Sequence, residues 1–347
     1  RRSSDLLSLL GLLDEALQRR QPLLNQLHEE GTDCWRCFHG SSEGLAGIAL
    51  DRYGSLGLLQ LFRSPGVVDS YAEQLNCSWP ELEQWCRSNL KVDHFAVWRR
   101  RSGGGRPQLM HASWPKDELP EVWACEQGQR FRIQAYHRGQ DPQLFLDLRV
   151  ARRFLRQHCA EKSVLNLFSY TCGAGIAAEG GGAQRVVNVD FSQGALEVGR
   201  SNSQANGCSR QEFWCEEVYP VLWQLGGKRL PGRAARRPQT LKLKPQTFDV
   251  VVLDPPALSK GYFGAVDVER DYPGLLRPCF QIVSVGGCIL ACNNLASVSE
   301  ASFRAQVERS AVKQGRTIVS IRRLIPEADF PARDDDPALK ILVVDVA

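Results

Sequence analysis

Two stretches hold the residues whose types and spacing are best suited to chemistry. In Val164-Leu165-Asn166-Leu167-Phe168-Ser169-Tyr170-Thr171-Cys172-Gly173-Ala174-Gly175, an apolar run ends in a polar turn that carries glycine. Glycine lets a ligand approach the backbone closely, and a strand-to-helix turn of this kind is where open α/β sheets bind nucleotides. Asp190 closes the next apolar run, seventeen residues after Gly173. A carboxylate there is placed to accept both hydroxyls of a ribose, so the pair reads as a site for an adenosine-containing ligand. The second stretch is Val251-Val252-Leu253-Asp254-Pro255-Pro256, a buried strand that ends in an acid stiffened by two prolines of fixed φ. A rigid acidic wall suits a reaction in which the protein mainly holds an acceptor atom in line with an already activated group.

The first stretch leaves two cofactors open. Gly173-x-Gly175-x-x-Ala178 also satisfies the dinucleotide fingerprint of a nicotinamide-dependent dehydrogenase. In a dehydrogenase the first glycine follows the strand almost directly. Here Ser169-Tyr170-Thr171 intervenes, and that polar segment suits the amino-acid end of S-adenosylmethionine (SAM).

These turns need an open, mainly parallel sheet to position them, and the C-terminal half alternates strand and helix in that manner. Strands are expected at Val164 to Phe168, Arg185 to Val189, Asp249 to Leu253 and Gly287 to Cys292, with helices at Gln193 to Asn206 and Glu300 to Gln314. Two strand-like pieces, Thr317 to Arg322 and Leu339 to Val346, close the chain without an intervening helix and predict an antiparallel hairpin. Upstream, apolar spacing predicts helix from Leu6 to Leu27, a hairpin at Gly47 to Asp51 and Gly57 to Phe62, a helical stretch from Tyr71 to Leu90, and strands at His94 to Arg99, Val122 to Glu126 and Phe131 to Tyr136. The expected organisation is a helical arm over 1–30, a small α+β domain over 31–138 and an α/β Rossmann-like domain over 139–347.

From about residue 137 onward the sequence resembles the bacterial large-subunit rRNA methyltransferases, both the cytosine-C5 enzyme I and the guanine-N7 domain of enzyme K/L. Leu144-Phe145-Leu146-Asp147-Leu148-Arg149 is similar to their entry to the SAM site, Asn166 to Gly175 to their first SAM motif, Asp190-Phe191-Ser192 to their ribose turn, Asp254-Pro255-Pro256 to their catalytic loop, and Asp267 to Tyr272 to the segment after it. The resemblance implies a class I methyltransferase sheet. It implies SAM contacts from Asp147, Arg149, Asn166, Phe168, Ser169, Tyr170, Thr171, Gly173, Asp190, Phe191 and Ser192. It also implies an adenine contact from Glu216 or Glu217, with Glu217 preferred because it precedes Val218 in the matching register. The domain around Gly47 to Phe62 resembles the RNA-engaging domain of enzyme I, without a counterpart of that enzyme's N-terminal PUA domain.

Two departures bear on the reaction. Cytosine-C5 methylation needs a cysteine that adds covalently to the ring. With Gly286-Gly287 aligned, Asn294 occupies that cysteine's position, whereas the guanine-methylating relative carries Ser-Asn-Asn there. Cys292, two residues earlier, reads as a small buried apolar residue. A ring nitrogen of guanine is already nucleophilic, so nitrogen methylation is favoured, with Asp254 and Asn294 orienting the base beside Pro255 and Pro256. Ala257 follows the prolines where many nitrogen methyltransferases place a stacking aromatic, which leaves Tyr262, Phe263 or Tyr272 for that task.

Composition fits an RNA partner without demanding one. The 347 residues carry a net charge of only +4, with 43% hydrophobic and 24% charged, the profile of a folded globular chain. The positive charge is clustered: Arg99, Arg100, Arg101 and Arg106 flank a triple-glycine turn, and Lys228 to Lys244, including Arg236 and Arg237, lacks any acid. Such runs are either solvated loops or phosphate-tracking surfaces. No apolar run reaches the roughly 20 residues of a membrane span. Twelve scattered cysteines suggest a reducing intracellular compartment, either cytoplasm or an organelle reached by a removed targeting peptide, and Cys34-x-x-Cys37 with His39 lacks the second pair of a zinc site. The single Met110 leads us to expect that the natural start lies upstream of Arg1. Two alternatives to an RNA methyltransferase remain at this level: the dehydrogenase, and a catalytically silent RNA-binding or ribosome-assembly factor retaining the SAM fold.

Overall fold

A computed structural model describes residues 9–62, 77–100, 107–115, 117–137, 141–230, 240–261, 264–332 and 337–347. The chain divides into two compact units, Arg1–Leu146 with Glu327–Asp335, and Asp147–Pro326 with Asp336–Ala347.

The first unit is built on a five-stranded sheet, ordered β1 (Cys34–His39), β2 (Ile48–Tyr53), β3 (Leu56–Leu61), β4 (His94–Arg99) and β5 (Gln108–Ala112). All neighbours are antiparallel except β3 and β4, which run parallel through the connection that contains α2 (Trp79–Leu90). Ser78 opens α2 with a capping box, its hydroxyl accepting from the Glu81 N–H while the Glu81 carboxylate accepts from the Ser78 N–H. Apolar residues of α1 (Leu9–Glu29) and α2, among them Leu13, Leu24, Leu82 and Trp85, bury one sheet face around Phe38, Leu50, Leu59 and Phe95. A separate antiparallel pair, β6 (Glu121–Glu126) and β7 (Gln129–Gln134), completes the strands of this unit.

Within the segment Glu327–Asp335, the residues around Asp329 are held in this unit by buried charge. Arg20 forms a two-pronged ion pair with Glu43 at 2.6 and 2.8 Å and also donates to the Asp329 carbonyl, while the Asp329 carboxylate accepts from the Arg36 N–H at 3.0 Å. Arg36 in turn pairs bidentately with the fully buried Asp51 and lies over the Phe330 ring. Gln60 donates to Asp51 and accepts from Arg100, whose guanidinium also covers Phe62.

The second unit carries a seven-stranded sheet in the order β10-β9-β8-β11-β14-β16-β15. Its strands are β8 (Ser163–Leu167), β9 (Arg185–Asp190), β10 (Gln211–Cys215), β11 (Phe248–Leu253), β14 (Val283–Asn293), β15 (Ile318–Leu324) and β16 (Lys340–Val346). The five strands from β10 to β14 are parallel, β16 runs antiparallel to them, and β15, antiparallel to β16, runs in the direction of the five. Alternate residues bury opposite faces. Leu165, Val251, Leu253, Ile289 and Ala291 meet α6 (Val218–Leu225), α7 (Val268–Ile282) and α8 (Glu300–Lys313), while Val164, Val250, Val252, Leu290 and Cys292 meet α3 (Arg149–His158) and α4 (Gly173–Gly180). Helix α5 (Gln193–Ala205) follows β9, and a short pair, β12 (Leu258–Gly261) with β13 (Gly264–Asp267), follows β11. No helix among the described residues is long and apolar enough to cross a membrane.

Five strands escape the sequence reading: β1, β5, β10 and the short pair β12 and β13. Cys34–His39 contains a bulge between Arg36 and Phe38 that breaks its alternation, and Gln211–Cys215 is a half-exposed edge strand with no apolar run.

Candidate active site

The parallel strands bring their carboxyl ends to one edge, and the β8–α4 turn is its most constrained element. Phe168, Tyr170 and Cys172 all adopt left-handed backbone, at φ 55°, 48° and 65°. Non-glycine residues held there cost of order 1 kcal/mol each and persist only where their surroundings over-determine them. The constraint is visible: the Ser169 N–H donates to the Val189 carbonyl, the Tyr170 N–H to Asp190 Oδ2 at 2.9 Å, the Cys172 N–H to the Ser169 carbonyl, and Asn202 Nδ2 to the Thr171 carbonyl. Gly173 begins α4 directly after this turn.

Asp190 ends β9 and is 6% exposed. Its Oδ1 accepts from the Ser192 N–H at 2.8 Å, so each oxygen already holds one backbone donor and keeps a lone pair for another. Burial raises its carboxyl above the ordinary range, opposed by these two hydrogen bonds. Ser192 caps α5 through its hydroxyl, and Phe191 is half exposed beside the acid. Of the two candidate glutamates, Glu216 is buried, with its carboxylate accepting from the Glu217 and Leu241 N–H groups. Glu217 is half-buried at the N-cap of α6, with no side-chain cap bond.

Asn166 has a different surrounding. Its Nδ2 donates to Asn188 Oδ1, Asn188 Nδ2 donates to Gln211 Oε1, and Gln211 Nε2 reaches the Gly175 carbonyl and Glu179. This amide ladder crosses β8, β9 and β10 beneath α4. A Cβ on Gly175 would stand 2.3 Å from Asn188 Oδ1, so this glycine serves close helix–sheet packing. Gly175→Ala is expected to cost about 1–3 kcal/mol by overpacking, read as a lower thermal midpoint; an unchanged midpoint would show that the ladder yields freely.

Across the edge, Asp254 follows β11 in the Asp254-Pro255-Pro256 turn. Its carboxyl is raised to about 7, first by burial and then by the neighbouring Asp147, with Arg152 opposing. Asp147 precedes α3, whose first residue, Arg149, is 1% exposed. The Asp147 charge is thus felt by the Asp254 carboxyl at the end of β11. Cys292 on β14 is fully buried, and burial together with Asp254 and Asp147 pushes its thiol well above the ordinary range.

Several expected residues lie elsewhere. Tyr272 is 0% exposed and edge-on to Phe303 with centroids 5.0 Å apart, so its ring is packed in the core and has no face for a base. Asn293 ends β14 and is buried, while Asn294 lies one residue past the strand and is exposed. Arg99 is half-buried at the end of β4, and Arg100 is engaged with Gln60 and Phe62. Arg101, Arg236, Arg237, Tyr262 and Phe263 lie outside the described residues. All twelve cysteines are free thiols, and no cluster of three or more possible metal ligands occurs among the described residues.

The donor set suits SAM. Asp190 keeps acceptor capacity on both carboxylate oxygens, which fits a ribose, and the acidic Asp147 and Asp254 fit a cationic ligand. The strand order agrees, because the antiparallel β16 inserted beside β14 is foreign to the dehydrogenase sheet and sets that alternative aside.

Comparison with known proteins gives the same answer. The ribosomal RNA large subunit methyltransferases I of Shigella flexneri serotype 5b and of Escherichia coli O139:H28 are each 28% identical to this chain over 328 residues, spanning 93% of it and 76% of their own length. Among solved structures, SMU.776 in complex with SAH superposes with a TM-score of 0.78 at 22% identity, covering 100% of this chain and 83% of that one. The SAM-dependent methyltransferase of Agrobacterium tumefaciens superposes with a TM-score of 0.61 at 19% identity, covering 87% and 88%. These likenesses establish a shared fold. The family model described as S-adenosylmethionine-dependent methyltransferase matches residues 103–345, and the chain therefore belongs to that family, an enzyme whose cofactor is S-adenosylmethionine.

Proposed function

We propose that the chain methylates a base of structured RNA, in the large ribosomal subunit, at a guanine nitrogen and not at cytosine C5. The observation that carries the choice of atom is the state of the two thiols beside the β8 turn and the end of β14; the exposed Cys215 ends the edge strand β10, three strands from β11. Cys292 is fully buried and held protonated, and Cys172 is buried with its thiol pushed up to about 12. Covalent attack on cytosine needs an accessible thiolate, which burial of this kind opposes. The names of the relatives support the RNA substrate. The first unit, with the basic run near Arg99 to Arg101, is the proposed RNA-engaging part, and the basic run at Arg236 and Arg237 in the second unit's sequence is a further proposed RNA contact. The free thiols support a reducing compartment.

In this reading Asp190 holds the ribose. The Phe168–Thr171 turn and Gly173 line the amino-acid end, Phe191, Ser192 and Glu217 the adenine end, and Asp147, Arg149 and Asn166 brace the surroundings. When bound, SAM supplies an electrophilic methyl on a sulfonium. Pro255 and Pro256 fix the Asp254 carboxyl at the strand end, where it faces the accepting base. Methylation of a neutral ring nitrogen leaves positive charge on the base, and an ionised Asp254 stabilises that charge as it develops. Asn294 adds a polar group at the exposed mouth of the site.

Incubating the protein with large-subunit rRNA and isotopically labelled SAM, followed by nucleoside mass spectrometry, tests the proposal. A labelled methylguanosine is expected. Labelled 5-methylcytidine would overturn the choice of base, and unlabelled RNA would overturn the choice of substrate. Cys292→Ala gives an independent check, with turnover expected to stay within about twofold of wild type, whereas loss of a covalent nucleophile typically removes several orders of magnitude.

A further inference from the structure

Helix α5 meets the β8–α4 turn twice, through residues outside the proposed cofactor set. Asn202, buried on the helix, donates from Nδ2 to the Thr171 carbonyl at 3.2 Å. Gly199, three residues earlier, lies against Cys172. A Cβ at Gly199 would stand 2.4 Å from Cys172 Sγ, 3.1 Å from Cys172 Cβ and 3.4 Å from the Thr171 carbonyl carbon. Residues three apart share a helix face, so one stripe of α5 makes both contacts. Thr171 and Cys172 are themselves buried, which closes both contacts to water.

The helix is tied to the same turn at its start. Asp190 accepts from the Tyr170 N–H through Oδ2 and from the Ser192 N–H through Oδ1, and Ser192 is the N-cap of α5. At the other end the C-cap residue, Asn206, donates from Nδ2 to the Asn202 carbonyl at 2.8 Å and steadies the helical turn that carries Asn202. Phe168, Tyr170 and Cys172 are all left-handed, and backbone in that region relaxes when the groups that over-determine it are lost. The α5 contacts bear on the last of the three, where the chain enters α4.

We propose that Gly199 and Asn202 are positioning residues for the cofactor, holding the turn in the shape that takes the amino-acid end of SAM; this rests on the reading above that the turn lines that end. Asn202 sets the Thr171–Cys172 peptide plane by fixing its carbonyl, and Gly199 leaves room for the Cys172 side chain. The ribose belongs to Asp190 in the same reading. A turn displaced from α5 therefore weakens a ligand that carries the amino-acid tail more than one that lacks it.

Calorimetry with SAH and with 5′-methylthioadenosine, which lacks the amino-acid group, tests this in Gly199→Ala, Asn202→Ala, Cys172→Gly and the double variant Gly199→Ala/Cys172→Gly. In Gly199→Ala the better helix propensity of alanine opposes the crowding, so the thermal midpoint is expected to move little. SAH affinity is expected to fall about tenfold, with 5′-methylthioadenosine within about twofold of wild type. Asn202→Ala is expected to show the same selectivity. Glycine at Cys172 accepts the φ of 65° and removes the two atoms that the new methyl would meet first. The double variant should then bind SAH within about twofold of Cys172→Gly alone. A helix that was merely destabilised would lower the midpoint and both affinities, with no recovery in the double variant. Wild-type SAH affinity in Gly199→Ala overturns the proposal, and so does a double variant that stays weak. Equal weakening toward both ligands, with recovery in the double variant, takes the turn away from the amino-acid end, and the parent reading falls with the proposal. Should Asn202→Ala fail to fold, the Gly199 and Cys172 variants decide alone.

Discussion

Asp254→Asn is expected to reduce methyl transfer on the order of 10²–10³-fold while leaving SAM affinity nearly intact, because it removes a charge that matters most as the base becomes cationic. The pH dependence follows from the raised carboxyl, which titrates at about 7 through burial and the Asp147 charge. Below that pH Asp254 is neutral, and above it the carboxylate is available. The wild-type rate should therefore rise through about pH 7, and the rise should be absent in Asp254→Asn. The effect on stability has the opposite sign. A carboxyl whose folded pKa exceeds its unfolded value favours the fold below the unfolded pKa, roughly 4, and that contribution is lost as pH climbs through about 7. Asp254→Asn should accordingly gain thermal stability relative to wild type at pH 8 more than at pH 5. A variant with a flat rate profile and that gain would support the assignment of the titrating group, whereas unchanged turnover at pH 8 would remove Asp254 from the chemistry.

Asp190→Ala is expected to weaken SAM binding by roughly 10²-fold, since hydrogen bonds to a charged group contribute about 1.5–3 kcal/mol each and two ribose hydroxyls are involved. The same carboxylate also holds the Tyr170 and Ser192 N–H groups, so the substitution loosens the strained turn as well. Asp190→Asn separates the two effects. It retains one oxygen acceptor and the shape, and should lose less affinity than alanine. Equal affinity for wild type and Asp190→Ala, measured by calorimetry, would move the ribose elsewhere.

How far these groups were legible depended on whether their role was local. The β8 turn and Asp190 could be read from spacing alone, because a strand, a glycine-bearing bend and an acid at the end of the next strand are all short-range features. The antiparallel finish could also be read, from two strand-like pieces with no helix between them. The loop between those pieces was not legible as part of the first unit, because Asp329 is held there by Arg20 and Arg36, nearly three hundred residues away in sequence. The basic run suffered in the same way: Arg100 reads as a surface charge, yet it stacks on Phe62 and donates to Gln60.

Asn293 and Asn294 show how narrow the margin is. Ending the strand at Cys292 leaves both asparagines in a loop, with nothing to choose between them. The strand runs one residue further, and period-two alternation then buries Asn293 and exposes Asn294. A single residue of strand length decided which amide faces the interior. Tyr272 stayed among three candidate stacking aromatics for a related reason, because a helical aromatic two residues after Arg270 gives no sequence sign that Phe303 will cover its ring.

A crystal structure of the protein with SAH bears most directly on the claim that cofactor and base meet at this carboxyl edge. The expected complex has both ribose hydroxyls within hydrogen-bond distance of the Asp190 carboxylate and the sulfur turned toward Asp254, Pro255 and Pro256. SAH bound with its ribose away from Asp190, or with its sulfur directed away from the Asp254 turn, would contradict it.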